Sequence, residues 1–145
     1  MNLNLVSKVG LVMAILAVVL LVFQESLLAA GVIAISIQIA AALLMFWARL
    51  TFGRRSFHAT AAPTEGELVT SGPYRYLRHP IYASLLYFIW AGVLSHLSVV
   101  SILLGVVATA GLIFRMVSEE RLLLAHYPEY AAYASRTRRI IPFVL

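Results

Sequence analysis

The residues best equipped for chemistry lie in three short stretches. The first reads Leu68-Val69-Thr70-Ser71-Gly72-Pro73-Tyr74-Arg75-Tyr76-Leu77-Arg78-His79-Pro80-Ile81-Tyr82. Pro80 suits the first turn of a helix, where its missing N–H is not needed. The free N–H groups and positive dipole end of such a helix can hold a carboxylate. His79 beside them can donate a hydrogen bond, and Tyr74, Tyr76 and Tyr82 can pack against a planar ring. The same residues also suit a Tyr/Arg belt that anchors a helix at a membrane interface. The second stretch is Arg115-Met116-Val117-Ser118-Glu119-Glu120-Arg121-Leu122-Leu123. Arg115 and Glu119 are four residues apart and share a helix face, which an ordinary ion pair also explains. Ionisable groups at the edge of hydrocarbon usually face a wet or protein-lined cavity, and paired carboxylates suit a cationic ligand. The third stretch runs from Tyr127-Pro128-Glu129-Tyr130 through Tyr133, Arg136, Arg138 and Arg139 to Pro142. Its plainest reading is a membrane-surface helix with a polybasic end.

Other chemistries are excluded by what the chain lacks. It has no cysteine, so disulfides, thiolate metal sites and a Cys nucleophile are ruled out. It has no Asp, which removes a Ser/His/Asp triad, and no Gly-rich phosphate loop. His58 and His126 have no second ligand at metal spacing, and His96 falls at the opposite end of the helices from His79, so no metal is expected.

The elements that must position these residues follow from composition. Of 145 residues, 62% are hydrophobic and 12% charged, with a mean hydropathy of +0.93. So small a body cannot hide that much apolar surface from water. The charges fall in blocks: Lys8 and Glu25 alone in residues 1–48, none in 83–114, and the rest in 49–82 and 115–145. Apolar runs between them read as membrane spans. Val9–Phe23 can be extended back to Leu3 past a snorkelling Lys8. Leu27–Trp47 would span about 31 Å as a helix, against a hydrocarbon core of about 30 Å. Ile81–Leu94, starting at Pro80, and Val99–Val117 complete the set. A cleaved signal peptide shares features with the first run, but a second full-length span follows after three residues, which suits a hairpin better.

The expected fold is therefore an all-α integral membrane protein of about four transmembrane helices in two hairpins, with a short interfacial helix after Glu120. Leu122, Leu123, His126, Tyr130 and Tyr133 share a face of that helix. One domain is expected over 1–145: a two-helix hairpin (1–48), a connector (49–80) punctuated by Gly53, Pro63, Gly66, Gly72 and Pro73, and a C-terminal hairpin with its tail (80–145). Gln38 and Ser36 are expected to hydrogen-bond across helices. Turns 24–26 and 95–98 hold no Lys or Arg, so both termini and the connector are expected in the cytoplasm. The net charge of +5 is then topological rather than a nucleic-acid footprint.

The order of these motifs resembles the isoprenylcysteine carboxyl methyltransferase family, itself similar to the membrane phospholipid N-methyltransferases. The family hallmark is Arg-His-Pro-x-Tyr-x-Gly followed, one helical hairpin later, by Glu-Glu-x-x-Leu. This chain carries Arg78-His79-Pro80-Ile81-Tyr82-Ala83 and Glu119-Glu120-x-x-Leu123, with Ser84 where the family has Gly. The resemblance covers residues 68–142. It implies S-adenosyl-L-methionine as cofactor, with Leu68 and Val69 giving backbone contacts and Tyr74, His79, Pro80 and Tyr82 lining the pocket. It further implies that Glu119, with Glu120, binds the cofactor's polar groups and that Arg115 is the catalytic residue facing the methyl acceptor. The implied acceptor is a lipophilic or lipid-linked molecule entering from the bilayer, with a carboxylate favoured because Arg115 would repel a protonated amine. A phospholipid amine acceptor and a non-catalytic membrane scaffold are the rival readings.

Overall fold

Small residues recur along the first apolar run at Ser7, Gly10, Ala14 and Ala17, and all four are buried. They form one stripe of α1 (Leu3–Phe23), the first of five helices in a computed structural model that describes residues 2–53 and 67–141. The others are α2 (Val32–Phe52), α3 (Pro80–Ser95), α4 (Val99–His126) and α5 (Tyr130–Arg136). Among the described residues there is no strand, only an isolated parallel bridge between Leu77 and Arg138. His58, Pro63, Gly66 and Pro142, named above, lie outside the described residues.

Three helices, α1, α2 and α4, are long and apolar enough to cross a membrane. Of the about four spans expected, these three are long enough among the described residues, and α3, with sixteen residues, falls short. That is about 24 Å of helix, short of a hydrocarbon core of about 30 Å.

The partners within each expected hairpin are not the main packing neighbours. α1 lies along α4, α2 lies along α3, and α3 meets α4 over a smaller interface. The two expected hairpins therefore interleave rather than each packing on itself. In lipid, helices associate through close packing of small residues, and the stripe on α1 has its match on α4. A Cβ added at Gly10 would stand 2.5 Å from the Gly111 carbonyl oxygen, and one at Gly111 would stand 2.5 Å from that of Gly10. Only glycine permits this crossing. Below it, Ala14, Ala17 and Leu21 pack with Leu86, Ile89 and Val93 of α3 and Ala108 and Leu112 of α4.

The run Leu27–Trp47 is not one helix. Residues 27–31 fold as a loop, and α2 starts at Val32 after Gly31, whose φ is 84°. Gln38 satisfies the loop's backbone, as expected of a polar residue within an apolar helix. Its Oε1 accepts from the Ala29 N–H at 2.9 Å, and its Nε2 donates to the Leu27 and Phe88 carbonyls at 2.8 and 3.0 Å. Ser36, expected to do likewise, instead donates to Val32 of its own helix at 2.8 Å. α3 approaches the loop at Gly92, where a Cβ would lie 2.1 Å from the Leu27 carbonyl oxygen. The turn after α3 joins the same end, with His96 Nε2 donating to the Leu28 carbonyl at 2.9 Å.

At the opposite end, α4 continues beyond Val117 to His126. The expected interfacial helix after Glu120 is thus two pieces, the last turns of α4 and the separate α5. Pro128 causes the break, because it disfavours helical backbone at the residue before it, and Tyr127 is extended at φ −108°, ψ 112°. His126 is exposed, whereas Tyr127, Tyr130 and Tyr133 are buried as a cluster.

Candidate functional site

The chemistry-bearing residues converge at the end of the bundle where α3 begins. His79 precedes α3 and Pro80 opens it, as the sequence predicts, and no side chain caps this helix. Pro80 has no N–H and the Ala83 N–H is taken by the His79 carbonyl, which leaves the Ile81 and Tyr82 N–H groups facing outward from the first turn. Tyr82, still in the first turn, points toward α4.

Glu119 and Glu120 are consecutive on α4, so a helix sends them about 100° apart. They meet different partners. The Tyr82 hydroxyl donates to Glu119 Oε2 at 2.7 Å and accepts from Arg115 Nε at 3.0 Å. Arg115 and Glu119, on one face as expected, are thus joined through a tyrosine from another helix. Arg115 also donates through Nη1 to Ser7 Oγ of α1 at 3.3 Å. Both Arg115 and Ser7 are buried, at 8% and 0% exposure. Glu119 is half-buried, and its Oε1 receives no hydrogen bond among the described residues.

Glu120 is the centre of a cationic clamp. Arg78 Nε lies 3.3 Å and His79 Nε2 3.2 Å from its Oε1, while Arg139 Nη2 donates to Oε2 at 2.9 Å. Arg139 Nε donates to the same carboxylate at 3.1 and 3.2 Å. A carboxylate only accepts, so the His79 proton sits on Nε2. The bond to Glu120 raises the Arg139 guanidinium pKa further above its usual value. His79, 3% exposed, therefore directs Nε2 at a protein carboxylate.

The tail completes this end. The N–H groups of Arg78 and His79 donate to the Arg138 and Arg139 carbonyls at 2.6 and 3.0 Å, and Arg138 N–H returns a bond to Tyr76 at 3.0 Å. Arg78 Nη1 donates to the Ala134 carbonyl at 2.6 Å, and the Tyr87 hydroxyl donates to that of Ile140. The polybasic end is thus a strap laid along the Arg78-His79-Pro80 segment rather than a free membrane-surface arm.

Tyr74 is buried in a short 3-10 turn (Gly72–Arg75), with its ring 5.4 Å from that of Phe52. Its carbonyl accepts from the Tyr133 hydroxyl at 2.7 Å. Burial, with the nearby Glu119 charge, pushes the Tyr74 hydroxyl pKa well up, and burial pushes Tyr133 up to about 12. Leu68 packs on the Tyr127/Tyr130/Tyr133 cluster, and Val69 beside it is half-buried. The Tyr130 hydroxyl is buried without a partner among the described residues. Ser84, in the family's Gly position, is 1% exposed and turns its hydroxyl onto the Ile81 carbonyl at 2.8 Å.

Arg115, Tyr82 and Glu119 therefore form one connected set, and His79 and Glu120 a second beside it. Sequence reasoning missed Ser7, Tyr87 and the role of Arg139. For Ser7 a signal existed, as a hydroxyl in the small-residue stripe of an apolar helix. For Arg139 there was none, since no local pattern aims it at Glu120. No group of three or more His, Cys, Asp or Glu side chains able to hold a metal occurs among the described residues.

The family described as phospholipid methyltransferase matches residues 26–130. The cobalt-zinc-cadmium resistance protein CzcN of Cupriavidus metallidurans is 38% identical over 81 residues, which cover 52% of this chain and 35% of that protein. The chain thus matches about a third of that relative's length. No solved structure matches it.

Proposed function

The chain belongs to the phospholipid methyltransferase family, and from that premise we propose an integral membrane, S-adenosylmethionine-dependent methyltransferase that takes a lipophilic acceptor from the bilayer. The observation that carries this reading is the pairing of two complementary binding groups at one helix end. The uncapped first turn of α3 offers backbone N–H donors to a carboxylate, and Glu119 Oε1 offers an acceptor to an ammonium or hydroxyl. An amino-acid zwitterion with a ribose needs that combination, so the residues fit S-adenosylmethionine. Bound there, it supplies an electrophilic methyl group on a sulfonium centre.

This chain's own residues then bind, orient and exclude water. Ile81 and Tyr82 hold the cofactor carboxylate through their N–H groups, and Glu119 holds its cationic or hydroxyl groups. Tyr74 and Tyr82 line the pocket, with Leu68 and Val69 closing it from the connector side. His79 and Glu120 act at the same end by fixing the start of α3 to α4 and to the tail strap. Arg115 would hold an anionic acceptor group beside the residues that would hold the cofactor, since Tyr82 links Arg115 to Glu119. Direct transfer asks the protein mainly for such positioning and for water exclusion.

A carboxylate acceptor suits Arg115 best, since a guanidinium repels a protonated amine. The family description favours a second reading, a phospholipid amine, in which Arg115 pairs with the lipid phosphate. Both readings place both termini and the site in the cytoplasm, with α3 as a fourth, shorter span. Purified protein with radiolabelled S-adenosylmethionine, offered S-prenylated cysteine or phosphatidylethanolamine vesicles in parallel, separates them. In either assay, Arg115→Ala should abolish transfer with cofactor affinity nearly intact, and Glu119→Ala should lose cofactor affinity. Equal loss of cofactor binding in both variants refutes this division of roles.

A further inference from the structure

Ser7 lies outside the matched family segment, which begins at residue 26, and outside every motif named above. It is nevertheless fully buried and takes a hydrogen bond from Arg115 Nη1 at 3.3 Å. The placement is a consequence of the helix crossing. Gly10 and Gly111 bring the backbones of α1 and α4 into contact, with the Gly10 Cβ position 3.3 Å from the Arg115 backbone nitrogen. One turn before Gly10 is Ser7, and one turn after Gly111 is Arg115, so antiparallel helices place the two side chains together.

The arginine is thereby held from two helices. Tyr82 of α3 takes Nε and Ser7 of α1 takes Nη1. Two contacts at different nitrogens fix both the position of a planar guanidinium and the rotation of its plane. A bidentate grip on a carboxylate or phosphate depends on that rotation. Loss of the Ser7 contact removes the hold on Nη1 and with it part of the aim of the plane.

We propose that Ser7 is a positioning residue for methyl transfer, orienting the Arg115 guanidinium toward the acceptor's anionic group, so that α1 is part of the active site rather than only a membrane anchor. This rests on the reading of Arg115 as the acceptor-binding residue. Ser7 does not touch the acceptor and acts through Arg115.

The test uses the full chain in detergent micelles, with Ser7→Ala, Arg115→Lys, Arg115→Ala and the Ser7→Ala/Arg115→Lys double variant. S-prenylated cysteine and phosphatidylethanolamine vesicles serve as acceptor probes. Ser7→Ala should lower kcat/KM for the acceptor about tenfold, as loss of one hydrogen bond to a charged group does, with cofactor affinity unchanged. The same change added to Arg115→Lys should cost less than twofold, because lysine has no Nη1 to lose. An equal loss in both backgrounds is a packing effect and overturns the proposal, as does a Ser7→Ala variant within twofold of wild type.

A second readout is independent of turnover. In protein carrying 15N-arginine, the Arg115 Nη1 protons should give separate resonances in wild type and exchange faster in Ser7→Ala, which removes the Ser7 acceptor from Nη1. Merged resonances in wild type overturn the proposal. Normal transfer by Arg115→Ala instead overturns the acceptor reading beneath it, an outcome distinct from loss in Arg115→Ala with none in Ser7→Ala.

Discussion

Replacing Glu120 by Gln should loosen the whole end of the bundle where α3 begins. The substitution keeps the side chain's shape and removes its charge. Glu120 is 11% exposed at its side chain, and its partners Arg78, His79 and Arg139 are 14%, 3% and 48% exposed. Breaking a buried ion pair by neutralising one partner costs about 3–5 kcal/mol, because the opposite charge stays buried. Arg139 is half in water and recovers solvation, so its share falls toward the value of a surface pair. The expected loss is about 2–4 kcal/mol. At about 2–4 °C per kcal/mol for a chain of this size, the melting temperature should drop by roughly 5–15 °C. Thermal unfolding followed by circular dichroism in one fixed detergent measures it, with the exposed Glu129→Gln as a control expected within about 0.5 kcal/mol of wild type. Trypsin should also cut faster after Arg136 and Arg138, since the strap has lost its anchor at Arg139. If Glu120→Gln melts together with the Glu129→Gln control and only cofactor affinity falls, the clamp is not structural and Glu120 belongs to the cofactor alone.

Gly111→Ala should destabilise by about 1–3 kcal/mol through overpacking, since the new methyl would meet the Gly10 carbonyl at 2.5 Å, and the same melting assay reads it. Stability should be fully present below pH 10 and fall as pH rises toward about 12. Tyr133 is held protonated there in the folded state while the unfolded chain ionises near pH 10, and tyrosinate absorbance at 295 nm should report ionisation delayed until unfolding. Cysteines at the exposed positions Lys8 and Ser135 should react only with membrane-permeant reagents in intact cells, and one at Gln24 with impermeant ones; labelling of Ser135→Cys from outside refutes the topology.

The sequence by itself determined the helices and much of the site's membership. A run of apolar residues long enough to cross lipid can satisfy its backbone only as a helix, so α1 and α4 start where the runs begin, and Pro80 marks the start of α3. Arg115 and Glu119 are readable as one face because the helical period is local. Leu27–Trp47 misled because hydropathy does not distinguish a spanning helix from a loop whose backbone is satisfied by a distant side chain, and Gln38 supplies that satisfaction.

Only the tertiary structure decided which helix packs on which, and with that which partner each charge meets. Interleaving of the hairpins depends on the Gly10–Gly111 contact between residues 101 positions apart, to which no local period refers. The two adjacent glutamates look equivalent in the sequence. One helical step turns Glu119 toward Tyr82 and Glu120 toward Arg78, His79 and Arg139. The strap and Ser7 escaped for the same reason. Their contacts join segments 19–108 residues apart, and a hydrogen bond constrains two side chains in space while leaving no spacing in the chain to read.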